Sequence, residues 1–497
     1  MDSLVNASNR QLALYVVAAI ATIFVAFFTA ITITTFSPFL ALAGGALVIG
    51  LLASKKYTFL PIVFIVLVIC DVIPIPKGGR LYPVLIVASC ILSIALSLAK
   101  RNGAPRVSSR AWYPVGIYSI TMLWGYFYGV KYLNNNSVFA LGEFQQTLAF
   151  LIFPSLLVCF DEKTAFNKLI RLTAAIGLLI GIASIFQYAT GVSLGGRVEQ
   201  LETLGNIDGN IIRATIPGKL FLLFCLFILI PIVIRRDGGI LTISVQFICI
   251  CILAFALLVS FGRALWASAA FGIFISALFL GLRHSVKLTT IVIFLSFTGL
   301  SLLAIVSPAV YDAVIDRALS VTLEGRSSSS FGWRLSENAF AAQSIVKNPL
   351  LGIGLGGEYK PPLVATELFP NQTSYIHNSY YFIPLKFGTI GLVSFAVFIA
   401  SVFISIFTAY SKKNTEEERI FLGAAAGTLL GVLLLAVTQP EILSPAFIAY
   451  TSFLLAAAHF LKHTPRYGQH SADPSIKADA RSKRHSIHRH LNHRGRD

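Results

Sequence analysis

The chain has 497 residues, of which 56% are apolar and only 12% charged, with a mean hydropathy of +0.77 and a formal net charge of +17. Soluble domains carry about 25% charged residues, so this composition excludes an ordinary globular or disordered protein and predicts an all-α polytopic integral membrane protein. A positive excess of this size also suggests nucleic acid, a reading decided by where the charges sit.

Apolar runs of about 18 to 23 residues, long enough to cross a bilayer as helices, recur along the chain. Fourteen are read: 11–33, 37–54, 57–75, 81–99, 111–130, 144–160, 168–188, 217–235, 239–259, 263–281, 287–306, 388–410, 419–437 and 442–462. They predict about 12–14 transmembrane helices in a membrane domain over 1–462. Two carry interruptions: Ser37-Pro38 leaves only a tight turn before 37–54, and Pro231 lies inside 217–235. The first run lacks a small-residue cleavage signal and is too long for a signal peptide, so it reads as a retained span. No internal repeat is visible.

With the N-terminus inside, 26 of the 39 cations fall in the inside loops and tail, which leaves +16 inside and +1 outside. That distribution obeys the positive-inside rule with an even span count and both termini cytoplasmic. The charge therefore serves topology, and no nucleic-acid partner is expected. Cys70, Cys90, Cys159, Cys225, Cys249 and Cys251 fall in or beside apolar runs and read as small core residues, not as disulfides or metal ligands.

Two outside loops are long, 189–216 and 307–376, and loops of that length usually carry function. In the second, Ser307-Pro308 predicts a helix start continuing through Val310, Val314 and Leu319. Gly325 to Ser330 is a break, and a second helix is predicted from about Phe331 to Lys347, ended by Asn348-Pro349. The basic tail 463–497 has no periodicity and reads as a disordered cytoplasmic segment drawn to anionic lipid.

Arg263, in SFGRALW, stands at the apex of a hairpin between two apolar runs. An arginine at the hydrocarbon centre costs about 2.5–3.5 kcal/mol and marks function, the alternative being a side chain that snorkels from a helix end. Arg197, Arg213 and Lys219 flank the first long loop, and Arg317, Arg326, Arg334, Lys347 and Lys360 lie in the second. Together they suit a polyanionic headgroup such as a diphosphate, which arginine grips bidentately. Of nine histidines only His377 is outside, in YIHNSYY beside Asn378, Tyr380 and Tyr381. It is a candidate general base, the alternative being a helix-start residue in an interfacial aromatic belt. The string Gly352-Ile353-Gly354-Leu355-Gly356-Gly357 follows no strand and does not read as a phosphate turn. No metal or cofactor is expected.

Three stretches resemble the O-antigen ligase and polymerase superfamily of bacterial polytopic glycosyltransferases, most closely over about 255–400. They are Ser260-Phe261-Gly262-Arg263; Trp333-Arg334 followed by Asn348-Pro349-Leu350-Leu351-Gly352-Ile353-Gly354; and His377-Asn378 followed by Gly388-Thr389-Ile390-Gly391. The resemblance implies metal-independent transfer of a glycan from an undecaprenyl-diphosphate donor to an acceptor hydroxyl outside the bacterial cytoplasmic membrane. It casts His377 as general base, Arg263 and Arg334 as binders of the leaving diphosphate, Arg213 as a further substrate arginine, and Asn378 and Tyr380 as substrate contacts. Where the family often carries an acid before its glycine, this chain has Lys386-Phe387-Gly388. The rival class is a transporter or flippase for a lipid-linked or anionic solute, which calls for paired ionisable residues within spans or matched broken helices; the sequence displays neither.

Overall fold

A computed structural model describes residues 112–159, 163–192, 197–200, 212–215, 218–235, 240–319, 330–362, 372–411, 415–442 and 444–463. The first four apolar runs, Arg326, and the tail beyond His463 lie outside the described residues.

Run 111–130 forms α1, Trp112–Phe127, which passes into a π-helical turn over Tyr128–Tyr132. Run 144–160 is not one helix. It divides into α2 (Ser137–Gln145), a 3-10 stretch (Gln146–Leu151) and α3 (Ile152–Cys159). Pro154 lacks the amide that an unbroken helix would bond back to Phe150, which accounts for the break. Next come α4 (Lys163–Thr190), α5 (Lys219–Arg235), α6 (Ile240–Val259), α7 (Arg263–Leu278) and α8 (Leu282–Val306). Pro231 is absorbed within α5 without ending it. The outer helices follow as expected from their start and stop signals, α9 over Pro308–Leu319 and α10 over Ser330–Lys347. The last three are α11 (Ser379–Tyr410), α12 (Glu416–Leu435) and α13 (Pro445–His463). Six of the described helices are long and apolar enough to cross a membrane, and α5 and α7 are shorter apolar ones. One exception to the all-helical pattern among the described residues sits in the first long loop, where β1 (Arg197–Gln200) pairs antiparallel with β2 (Ile212–Thr215).

The core is built around α5, α12 and α13. Phe221, Phe224, Phe421, Tyr450 and Phe453 are buried there, and the Phe224–Tyr450, Phe224–Phe421 and Phe421–Phe453 pairs meet edge to face. Such pairs are worth about 0.5–1.5 kcal/mol each beyond their buried area. α7 and α12 pack through small residues. The backbone of Gly427 lies against Gly272, that of Gly431 against Ser268, and that of Gly423 against Ser276, so close that no Cβ fits between them. Lipid offers no hydrophobic drive between helices, so this close approach is what holds two spans together. α6 and α8 instead turn Phe247, Ile248, Phe294 and Phe297 outward, as lipid-facing helices do.

The glycine-rich string forms a knot that positions the outer helices. α11 is two helices end to end, broken at Gly388 with φ 62° and ψ −157°. The carbonyls of Leu385 and Lys386 accept from the Ile353 and Gly354 amides at 2.8 and 3.0 Å, and the Thr389 amide donates to Pro349 O at 2.8 Å. Leu355 N donates to Gly125 O at 3.1 Å, and Gly356 N to Glu143 Oε2 at 2.8 Å. The loop amides thus satisfy a broken helix and a carboxylate, which bears out that the string is not a phosphate turn. Lys386, fully buried, pairs with Glu143 at 3.0 Å and donates to Gly357 O at 2.8 Å. Lys386 thus lies inside α11, in the part that precedes the apolar run 388–410, and its partner stands on α2, which is not among the helices long enough to span. Both partners are consumed in tying α2 and the loop to the helix break, and breaking such a buried pair from one side costs about 3–5 kcal/mol.

Candidate active site

Asn378 is the N-cap of α11, its side-chain oxygen accepting from Tyr380 N at 2.9 Å. Ser379 fixes the same helix end to the α12–α13 turn, through its amide to Ala436 O at 3.0 Å and its hydroxyl to Gln439 O at 2.9 Å. Tyr380 Oη donates to Leu433 O at 2.8 Å. His377 therefore precedes a rigidly held helix start.

Its partner is Glu337 on α10. Glu337 Oε2 lies 2.7 Å from His377 Nδ1 and also accepts from the His377 backbone amide at 3.3 Å. Oε1 takes the ammonium of Lys360. Glu337 and Lys360 are buried, whereas the His377 side chain is 37% exposed. A carboxylate only accepts, so Nδ1 carries a proton, and Nε2 is the ring nitrogen that Glu337 does not engage. The ring of Tyr375 meets His377 edge-on at 5.0 Å, and Tyr359 Oη donates to Tyr375 O at 3.0 Å. These bonds join the chain after α10 to the chain entering α11.

Burial pushes the Glu337 carboxyl up, but hydrogen bonds and charge from His377 and Lys360 more than offset it and hold the group below the usual carboxylate range. Burial pulls the Lys360 amine down against the opposing pull of Glu337, and raises the Tyr359 phenol with Glu337 and Tyr375 adding to it. A carboxyl lowered by folding stabilises the fold fully above its ordinary pKa of about 4.3 and loses that contribution as pH falls through its lower folded value. Amide protection factors over 330–362, referred to the intrinsic exchange rate at each pH, should accordingly be flat above about pH 5 and fall below about pH 4.

Residues 247–396 match the family model described as O-antigen ligase. That stretch, about a third of the chain, is similar to the O-antigen ligase family. No curated protein matches the chain. The matched stretch runs from within α6 to just beyond the Gly388 break, so it contains Arg263, α9, α10, Glu337, Lys360 and His377. The six long apolar helices among the described residues mark a multi-pass membrane protein.

The other expected residues fall at different places in the matched stretch and beside it. Arg334 is half-buried on α10, one turn before Glu337, so the two share a face. Arg263 is the first residue of α7, directly after a strained turn in which Phe261 takes φ 45°. Ser260 Oγ closes that turn on Leu257 O at 2.6 Å and accepts from Gly262 N at 3.3 Å. α9 covers it, with Ala313 and Val314 packed on Phe261. The α7–α12 pairs step by four residues in opposite directions, which carries Arg263 to the level of Ala436, the carbonyl that holds Ser379. Arg263 thus stands at the depth of the His377 helix start. Arg213 lies in β2 opposite Glu199, on a ribbon packed against α4, and no described contact joins it to His377.

Glu337 and Lys360 have the positions that sequence reading missed as a site. Lys360 was legible only as a loop cation, and Glu337 drew no notice. One signal was available: Glu337 is the only acid in 330–347 and stands three residues after Arg334.

Proposed function

We propose that the protein transfers a glycan from a polyprenyl-diphosphate donor to an acceptor hydroxyl at the external face of the cytoplasmic membrane, as a ligase or polymerase. The observation that carries this reading is His377, whose Nδ1 is held by a buried carboxylate while its side chain remains 37% exposed. Nε2 takes the proton of the acceptor hydroxyl as its oxygen attacks the anomeric carbon. The bond from that carbon to the diphosphate oxygen breaks, and the lipid diphosphate departs with the bonding pair. Arg263 and Arg334 meet the charge that develops on it, a role open to a metal in other enzymes and here given to guanidinium groups. Glu337 has both oxygens engaged, so direct displacement with inversion is favoured over a covalent glycosyl intermediate on that carboxylate.

A transporter reading draws on the broken α11 and the Lys386–Glu143 pair, but both are accounted for by the knot with the glycine-rich loop. The arginine roles are tested in proteoliposomes containing a lipid-diphosphate-linked oligosaccharide. Arg263→Ala and Arg334→Ala should each slow transfer on the order of 10²-fold, with lysine replacements recovering only part of it. Wild-type rates in both variants would refute the diphosphate assignment.

A further inference from the structure

Lys360 contacts His377 only through Glu337, which raises the question of why a buried cation stands behind a buried carboxylate. A carboxylate has two equivalent oxygens and can serve two donors at once. Glu337 does so, with Oε1 on Lys360 and Oε2 on His377 Nδ1 and the His377 amide. Lys360 is held in turn by its own surroundings, with its ammonium 5.4 Å from the Tyr359 ring centroid and Tyr359 N bonded to Thr373 O at 3.1 Å. The ammonium is donor-only, so whatever stands at position 337 must present an oxygen to it.

We infer that Glu337 is a positioning residue that keeps the proton of His377 on Nδ1, and that Lys360 dictates which atom position 337 turns toward the imidazole. The inference rests on His377 being the base. It makes an unusual demand on variants. In Glu337→Gln the single amide oxygen is claimed by Lys360, because that charge-assisted bond outweighs the 3.3 Å bond from the His377 amide. The NH2 group is then turned to Nδ1, the ring proton shifts to Nε2, and the base is lost although the shape of the side chain at position 337 hardly changes. Removing Lys360 as well frees the amide to rotate its oxygen back to Nδ1.

The test measures kcat, KM and thermal midpoint for four purified variants in the same vesicles. Glu337→Gln should lose about 10²-fold in kcat with little change in KM. Glu337→Gln/Lys360→Met should recover at least about tenfold of that loss, since it buries neither an unpaired ammonium nor a misdirected amide. Glu337→Leu/Lys360→Met, equally free of buried charge but without an acceptor for Nδ1, should fall about 10²-fold below the Gln/Met protein. A Gln/Met protein no faster than Glu337→Gln, or a Leu/Met protein as fast as Gln/Met, overturns the inference. His377→Ala, run alongside, separates the two levels: full activity there removes the functional reading itself, whereas an inactive His377→Ala with no rescue removes only the role given to Glu337 and Lys360.

Discussion

His377→Ala is expected to lower glycan transfer by about 10³-fold while leaving donor binding within a few-fold of wild type. The split follows from the geometry. His377 precedes the capped start of α11 and is not itself the cap, which is Asn378, and Ser379 rivets that end to the α12–α13 turn. Truncating the imidazole therefore removes the proton acceptor without releasing the helix. The diphosphate would still meet arginines carried by other elements, Arg263 at the head of α7 and Arg334 on α10. Initial rates against donor concentration, with donor binding measured separately, distinguish this from a collapse of the site. A loss confined to KM would contradict the assignment of His377 as base.

Gly388→Ala is expected to destabilise the protein by more than about 4 kcal/mol, the range reserved for a few severe mechanisms. Two of them act together. The residue occupies φ 62° and ψ −157°, a region essentially closed to side chains and worth about 1–3 kcal/mol of strain. A Cβ there would also fall on the Leu350 carbonyl group and within 2.5 Å of Leu351 N, all backbone atoms that cannot turn away. Relief requires the loop to withdraw, which would orphan the Ile353 and Gly354 amides and the Leu385 and Lys386 carbonyls. Gly116→Ala on α1 is the matched control, since nothing stands within 4 Å of its Cβ direction, and helix propensity alone should make it neutral or slightly stabilising. Thermal unfolding in detergent reads both, and equal midpoints would contradict the account of the break.

What the sequence conveys depends on how local the cause is. α9 and α10 are legible because Ser307-Pro308 and Asn348-Pro349 act on their own neighbours, and the spans are legible because length and hydropathy suffice. Pro154 misleads in run 144–160 because a proline can end a helix or, like Pro231 in α5, be absorbed by one. His377 stands out as the lone histidine between Val306 and Glu416. Glu337 does not, because its meaning comes from a partner 40 residues away, and Glu143 acts on a glycine amide 213 residues away. Lys386 looks like an odd replacement for an acid until Glu143 is seen beside it. The resemblance supplied Arg334 and the register of the motifs. The structure adds that Arg334 sits on the helix that carries Glu337 and packs against α11, while Arg263 heads α7, which packs against α12, the helix whose end holds Ser379.

The most direct measurement follows a doubly labelled donor, with one label on the polyprenyl diphosphate and one on the sugar, in proteoliposomes of the purified full chain with acceptor present. The account predicts that free lipid diphosphate appears one for one with sugar joined to acceptor, and that neither is produced by His377→Ala. Passage of the intact labelled donor across the bilayer, with sugar and lipid still joined and no acceptor modified, would contradict it.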